Sequence, residues 1–287
     1  MKPTSIRIGP FTRLFAALGF VVASPFASAQ MAVNGGQQAT PQSTGADSMQ
    51  TQLHMLTDVQ RQAQGIDKRE FADYKAFYGE NQQPAKKIQL GRAFLQKYPK
   101  STLAEAVDGG LVDAYVSTQD WPNVYSTADS ALALNPDDVD VLTTVGWVIP
   151  HVYHPGDTDA DSLLSKAETY EKHAIEVLAT MPKPTSISDA QFAALKERKS
   201  LQAHSALGLV YFRRDDFDAS AKELEQATQG NPNADEADLF VLGIDLQNLK
   251  RYTDAADAFN RCAQISGGLV DRCKQGAEGA SKLAQLK

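Results

Sequence analysis

The chain has 287 residues, 43% of them apolar and 22% charged, with a net charge of −7 and two cysteines. That length and balance suit one or two globular domains with a substantial core. The mild acidity argues against a nucleic-acid binder, which needs Lys and Arg clustered on one face. In chain order, Lys2, Arg7 and Arg13 form a basic start, Leu14 to Val22 an apolar run, and Ala27-Ser28-Ala29 a small-x-small site. This is the layout of a secretory signal peptide over residues 1–29, cut between Ala29 and Gln30. The apolar run is too short for an ordinary spanning helix and no second one follows, so no integral membrane span is expected after cleavage. The destination is export: the periplasm in a two-membrane bacterium, otherwise secretion. Residues 30–50 are rich in Gly, Gln, Ser and Thr and predict a disordered spacer. A helix over about 51–64 follows and opens the domain that runs to residue 287.

From there the chain repeats itself. Taking Gly208 as the eighth position of a unit, Leu207 and Tyr211 share one helix face, with His204 one turn earlier. Ser220, Leu224 and Ala227 form a second one-sided helix that ends at Pro232, with the turn "RRDDF" between the two. Small residues at Gly208 and Ser220 allow the two helices to approach closely. The next unit places Gly243 35 residues later, with Leu242, Leu246, Ala255, Phe259 and Cys262 in matching slots. Upstream, Gly146 is flanked by Leu142, Val145 and Ile149. Val112 takes the same slot 34 residues earlier, with Leu111, Tyr115, Val124, Ala128, Ala131 and Pro136. A looser first unit has Phe71, Tyr74 and Tyr78 on one helix and "PAKKIQLGRAFLQKYPKS" on the second. The third unit is interrupted near 150–162 and again near 183–190. Its second helix is expected to run through Tyr170, Ala174 and Val177 to Pro182.

This spacing resembles the tetratricopeptide repeat, a family of helix-turn-helix units of about 34 residues. The resemblance implies an all-α, superhelical solenoid of antiparallel helix pairs, because one hairpin cannot bury its apolar face alone and stacked neighbours can. Gly267-Gly268 breaks the last unit, and 269–286 reads as a capping helix.

Cys262 and Cys273 stand about equally far from the turn "SGG", so in an antiparallel pair they face each other. With export, a Cys262–Cys273 disulfide is expected. The only dense set of candidate metal ligands is His151, His154, Asp157, Asp159 and Asp161, in spacing that fits neither a zinc helix pattern nor a calcium loop. The simpler reading is a polar loop whose aspartates cap a helix starting near Ser162. His204 reads as a packed core histidine and His173 as surface; His54 lies in the ill-defined N-terminal part. "EKHAIE" (171–176) and "KERK" (196–199) read as solvated helix faces. No phosphate loop, nucleophile elbow or metalloprotease motif occurs, so neither a cofactor nor a catalytic residue is expected.

In the resembled family the first helix of each unit lines the concave surface. By position that implies Asp140, Thr143 and Trp147 in the third unit, and Gln202, Ser205, Leu209, Phe212 and Arg213 in the fourth; Trp147 and Phe212 read equally as inter-repeat core. The fifth contributes Ala237, Phe240, Ile244, Gln247 and Asn248. Such a mixture of apolar and hydrogen-bonding groups suits a bound peptide or protein segment. The resulting expectation is a non-enzymatic exported scaffold. Self-assembly into an envelope component is the alternative, and a metal-dependent hydrolase at 151–161 a remote third.

Overall fold

In the computed structural model, residues 64–184 and 187–286 are described. The expected signal peptide, the expected spacer and most of the helix expected before residue 64 lie outside the described residues. Eleven helices follow in chain order among these residues: α1 Lys68–Gly79, α2 Pro84–Lys97, α3 Ala104–Thr118, α4 Trp121–Leu134, α5 Val139–His151, α6 Ala160–Thr180, α7 Asp189–Arg213, α8 Phe217–Thr228, α9 Glu236–Asn248, α10 Tyr252–Cys262 and α11 Val270–Gln285. Each packs on its chain neighbours, giving five hairpins in series with α11 against α10. The first helices of successive units also touch, most extensively α5 with α7.

One backbone device recurs. Gln119, Asp215 and Lys250 adopt φ of 58°, 60° and 61°, the left-handed region that non-glycine residues rarely enter. Each lies seven residues after the eighth-position residue of its unit. In each case the next amide reaches back to close the helix: Asp120 to the Tyr115 carbonyl (3.0 Å), Asp216 to Tyr211 (3.0 Å) and Arg251 to Leu246 (2.8 Å). This is a Schellman-type termination, and its repetition makes the turns of the second, fourth and fifth units equivalent. The third unit has no such turn, because the insertion after His151 replaces it.

A second device sets the distance between paired helices. A Cβ on Gly208 would sit 2.5 Å from Leu224 Cγ, and one on Gly243 2.6 Å from the Phe259 ring. The missing side chain on the first helix is the space that the large side chain of the second occupies. Unit two reverses the sizes, with Val112 opposite the slot of Ala128, both buried.

The core divides at α7. Val210 belongs to the cluster built from α1–α6, whereas Leu209 and Phe212 belong to the one built from α8–α11. Outside the core, Glu168 on α6 accepts hydrogen bonds from Tyr211 (3.0 Å) and Arg214 beside the C-terminus of α7. Those contacts tie α7 to the interrupted unit. At the far end Cys262 and Cys273 are joined, with Cα atoms 5.8 Å apart, and both are fully buried. The bridge fastens α11 onto α10 as the spacing around the turn predicts.

The crossing and the bridge can each be tested by substitution. Gly208→Val alone overfills the α7–α8 crossing and is expected to destabilise the chain by about 1–3 kcal/mol. Combining it with Leu224→Ala, which copies unit two, is expected to recover part of that loss in urea titration, a non-additive result. Reduction of the disulfide, or Cys273→Ser, is expected to cost about 2–3 kcal/mol by loop-entropy reasoning. Hydrogen exchange would show the loss of protection concentrated in α11.

Candidate functional site

The faces of α3, α5, α7 and α9 that meet their counterparts in adjacent units carry a polar seam. It begins with Lys199, a residue the "KERK" pattern assigns to solvent. The structure corrects that reading. Lys199 is buried with its Nζ 2.7 Å from Asp140 Oδ1 and 3.1 Å from Thr143 Oγ1, and Gln202 donates to the Thr143 carbonyl at 3.3 Å. The long stem of Lys199 crosses from α7 to α5, which pack directly on each other. Half-buried Asp113 on α3 lies within the field of this pair. Burial and the Asp140 charge push its carboxyl up to about 6, partly offset by Lys199 and Lys87.

The seam continues on α7 and α9. Ser205 donates to Asp238 at 2.9 Å, both buried. Burial, then the Asp235 charge, pushes Asp238 up to about 7. Deeper in the same unit, Ser220 Oγ stands 2.8 Å from the Gly208 carbonyl and 2.6 Å from Asp245 Oδ2. One hydroxyl hydrogen faces two acceptors, an arrangement that favours a protonated Asp245 able to donate in return. Burial pushes Asp245 up to about 8, in the same sense.

Glu171 is the second correction. Read as part of a solvated face, it is fully buried, and neither carboxyl oxygen has a hydrogen-bond partner. The buried face of α6 is Leu164, Ala167, Glu171, Ala174 and Leu178, with Tyr170 and Val177 only half-buried. Glu171 packs against Gly146, the place that Leu224 and Phe259 take against Gly208 and Gly243. Periodicity misses the register because a charged residue fills the large-side-chain slot. Burial drives its carboxyl well above the ordinary range, with Lys199 the opposing charge, so the group is carried protonated. The helix also starts at Ala160, and Asp159 at its N-cap makes no side-chain capping bond.

The third feature lies where α5 and α7 end. The Trp147 and His151 rings stack with centroids 3.7 Å apart, and His151 Nδ1 is 2.6 Å from the Trp147 carbonyl. A carbonyl can only accept, so Nδ1 carries the hydrogen. Burial, with Arg213 adding to it, lowers the imidazole to about 4, so the ring is neutral. Arg213 donates from Nε to the Pro150 carbonyl at 3.1 Å and lies over the Tyr153 ring, 5.7 Å from its centroid. Its Nη2 is buried without a partner, and burial lowers the guanidinium to about 10.

The other expected contact residues divide by exposure. Leu209, Phe212 and Phe240 are buried and spent on packing, as are Asp140, Thr143 and Ser205 in the seam. Trp147, Gln202, Arg213, Ala237, Ile244 and Gln247 are half-buried, and Asn248 is exposed. His204 is half-buried rather than enclosed, with Nδ1 2.7 Å from Glu223. His173 lies at the surface, 2.8 Å from Asp137. Among the described residues no group of three or more His, Cys, Asp or Glu is placed to hold a metal, and 151–161 does not converge into one. Among them, too, no helix is long and apolar enough to cross a membrane. No protein-family model matches the chain, and no curated protein matches it.

The raised carboxyls make stability depend on pH with a definite sign. The folded chain holds protons on Glu171 and Asp245 that the unfolded chain releases near pH 4. Stability is therefore expected to fall as pH rises from about 4 toward 8, the range bounded above by Asp245. Replacing Glu171 by Leu and Asp245 by Asn is expected to raise the melting temperature at pH 8 and flatten its decline between pH 5 and 8.

Proposed function

We propose that the chain is a non-enzymatic, exported scaffold of the tetratricopeptide kind, holding a protein or peptide segment against its row of first helices. One observation carries the reading. Hairpins stand in series with their first helices in contact, and those helices keep Trp147, Gln202, Ile244, Gln247 and Asn248 partly or wholly exposed. Indole, aliphatic and amide groups side by side supply apolar anchors and orienting hydrogen bonds. The buried polar seam beneath them fixes the spacing of the helices and so the geometry of the surface. Export is supported by the basic-apolar-small start of the sequence and by the disulfide that an oxidising compartment sustains.

The test is site-specific photo-crosslinking in the native cell. A photoreactive side chain at Ile244 or Asn248 is expected to capture a second polypeptide, whereas one at exposed Gln226 on α8 is expected to capture none. Adducts joining only two copies of this chain would replace the reading with self-assembly. Capture equal from all three positions, or from none, would overturn it.

A further inference from the structure

The arginine at the end of α7 has lost its usual company. The chain carries 35 acidic residues against 28 Lys and Arg, so a cation here should find a carboxylate. Lys199, Arg214 and Arg251 all do so. Arg213 does not: among the described residues its bonds are one to a backbone carbonyl and one ring contact. The hydrogen bond to Pro150 occupies Nε and thereby orients the planar head. What remains is the outer fork, Nη1 and Nη2, with Nη2 already withdrawn from water and unsatisfied.

We propose that this fork is a binding site for a single carboxylate of the bound partner, with the Trp147–His151 stack and Tyr153 as its apolar surroundings. The proposal rests on the reading of this surface as a peptide-binding one and adds the chemistry that one part of it selects. A carboxylate presents two oxygens in the plane and at the spacing of a guanidinium fork. A carboxylate seated on this fork supplies the acceptor that Nη2 lacks among the described residues. A single planar cation without a second basic residue bonded beside it matches a singly charged planar anion better than a tetrahedral dianion. His151 is neutral with its hydrogen on Nδ1, so it adds no second positive charge and leaves Arg213 as the sole cationic anchor. Tyr153, from the insertion that breaks the third unit, sets its ring against the guanidinium.

The experiment needs no identified partner. Trp147 is one of two tryptophans, so Trp121→Phe makes its emission the only indole signal. Sodium benzoate is the probe and benzamide, the same ring without the charge, is the control. Benzoate is expected to change Trp147 emission saturably and to raise the melting temperature, while benzamide does neither. Arg213→Gln is expected to weaken the benzoate response at least tenfold without lowering the melting temperature, since it removes an uncompensated buried charge. Arg213→Lys keeps the charge and loses the fork, and should fall between the two. N-acetylglycine and N-acetylglutamate α-amide then separate a chain-end carboxylate from a side-chain one, and tighter binding of either upholds the site. Equal responses to benzoate and benzamide, or an unchanged response in Arg213→Gln and Arg213→Lys, would overturn the proposal. Because the probe is a small molecule, failure here is distinguishable from failure of the crosslinking experiment, which tests the scaffold reading itself.

Discussion

Two helices joined by a turn can approach only as closely as the side chains at their crossing allow, and in the third, fourth and fifth units that distance is set by leaving one side chain out. Gly208 and Gly243 leave room for Leu224 and Phe259, and Gly146 leaves room for Glu171. Close packing follows, because an interior as dense as a protein core tolerates neither the void nor the overlap that a mismatch would create. The left-handed turns at Gln119, Asp215 and Lys250 close the first helices of the second, fourth and fifth units in the same way. Stacked hairpins, adjacent first helices and the surface they share all depend on this crossing.

The third unit keeps the rule and departs from it in chemistry. Its large residue is a carboxyl, buried without a partner. Its turn is replaced by an insertion, and its neighbours compensate. Glu168 gathers Tyr211 and Arg214 on one side, while Lys199 reaches Asp140 and Thr143 on the other. An ion pair this enclosed contributes little net stability, yet breaking it by removing one partner is costly. Its consequence here is positional: it joins α5 to α7, which pack directly on each other. The stacked Trp147 and His151, with Arg213 behind them, are presented at the end of that same junction.

Acidic groups along the first helices behave alike for one reason. Asp113, Asp238 and Asp245 are each drawn up from the ordinary carboxylate range, with burial the largest cause in every case. Ser205 and Ser220 provide hydroxyl hydrogen bonds that make such burial tolerable for Asp238 and Asp245. A chain with excess negative charge thus keeps several carboxyls inside, where near-neutral protonation spares it the full cost of burying charge.

How much of this was legible beforehand differs between the fold and the site. Spacing of apolar and small residues determined the helix pairs, the matching eighth positions, the closing helix and the facing cysteines. Those features are set by local periodicity and by distances counted from a turn. That Trp147, Gln202, Ile244 and Arg213 share a face is what the resemblance to a helical repeat implies, not what the spacing shows. What it could not carry was the fate of side chains whose environment is made by other helices. Glu171 and Lys199 read as solvated because charge normally seeks water, and only the stacking of α5, α6 and α7 encloses them. Phe240 reads as a surface contact and Phe212 equally as contact or inter-repeat core; packing buries both. The orphaned Nη2 of Arg213 is a fact of three dimensions: sequence names the arginine, while the carbonyl that holds it and the acceptor it lacks exist only once α7 lies against α5.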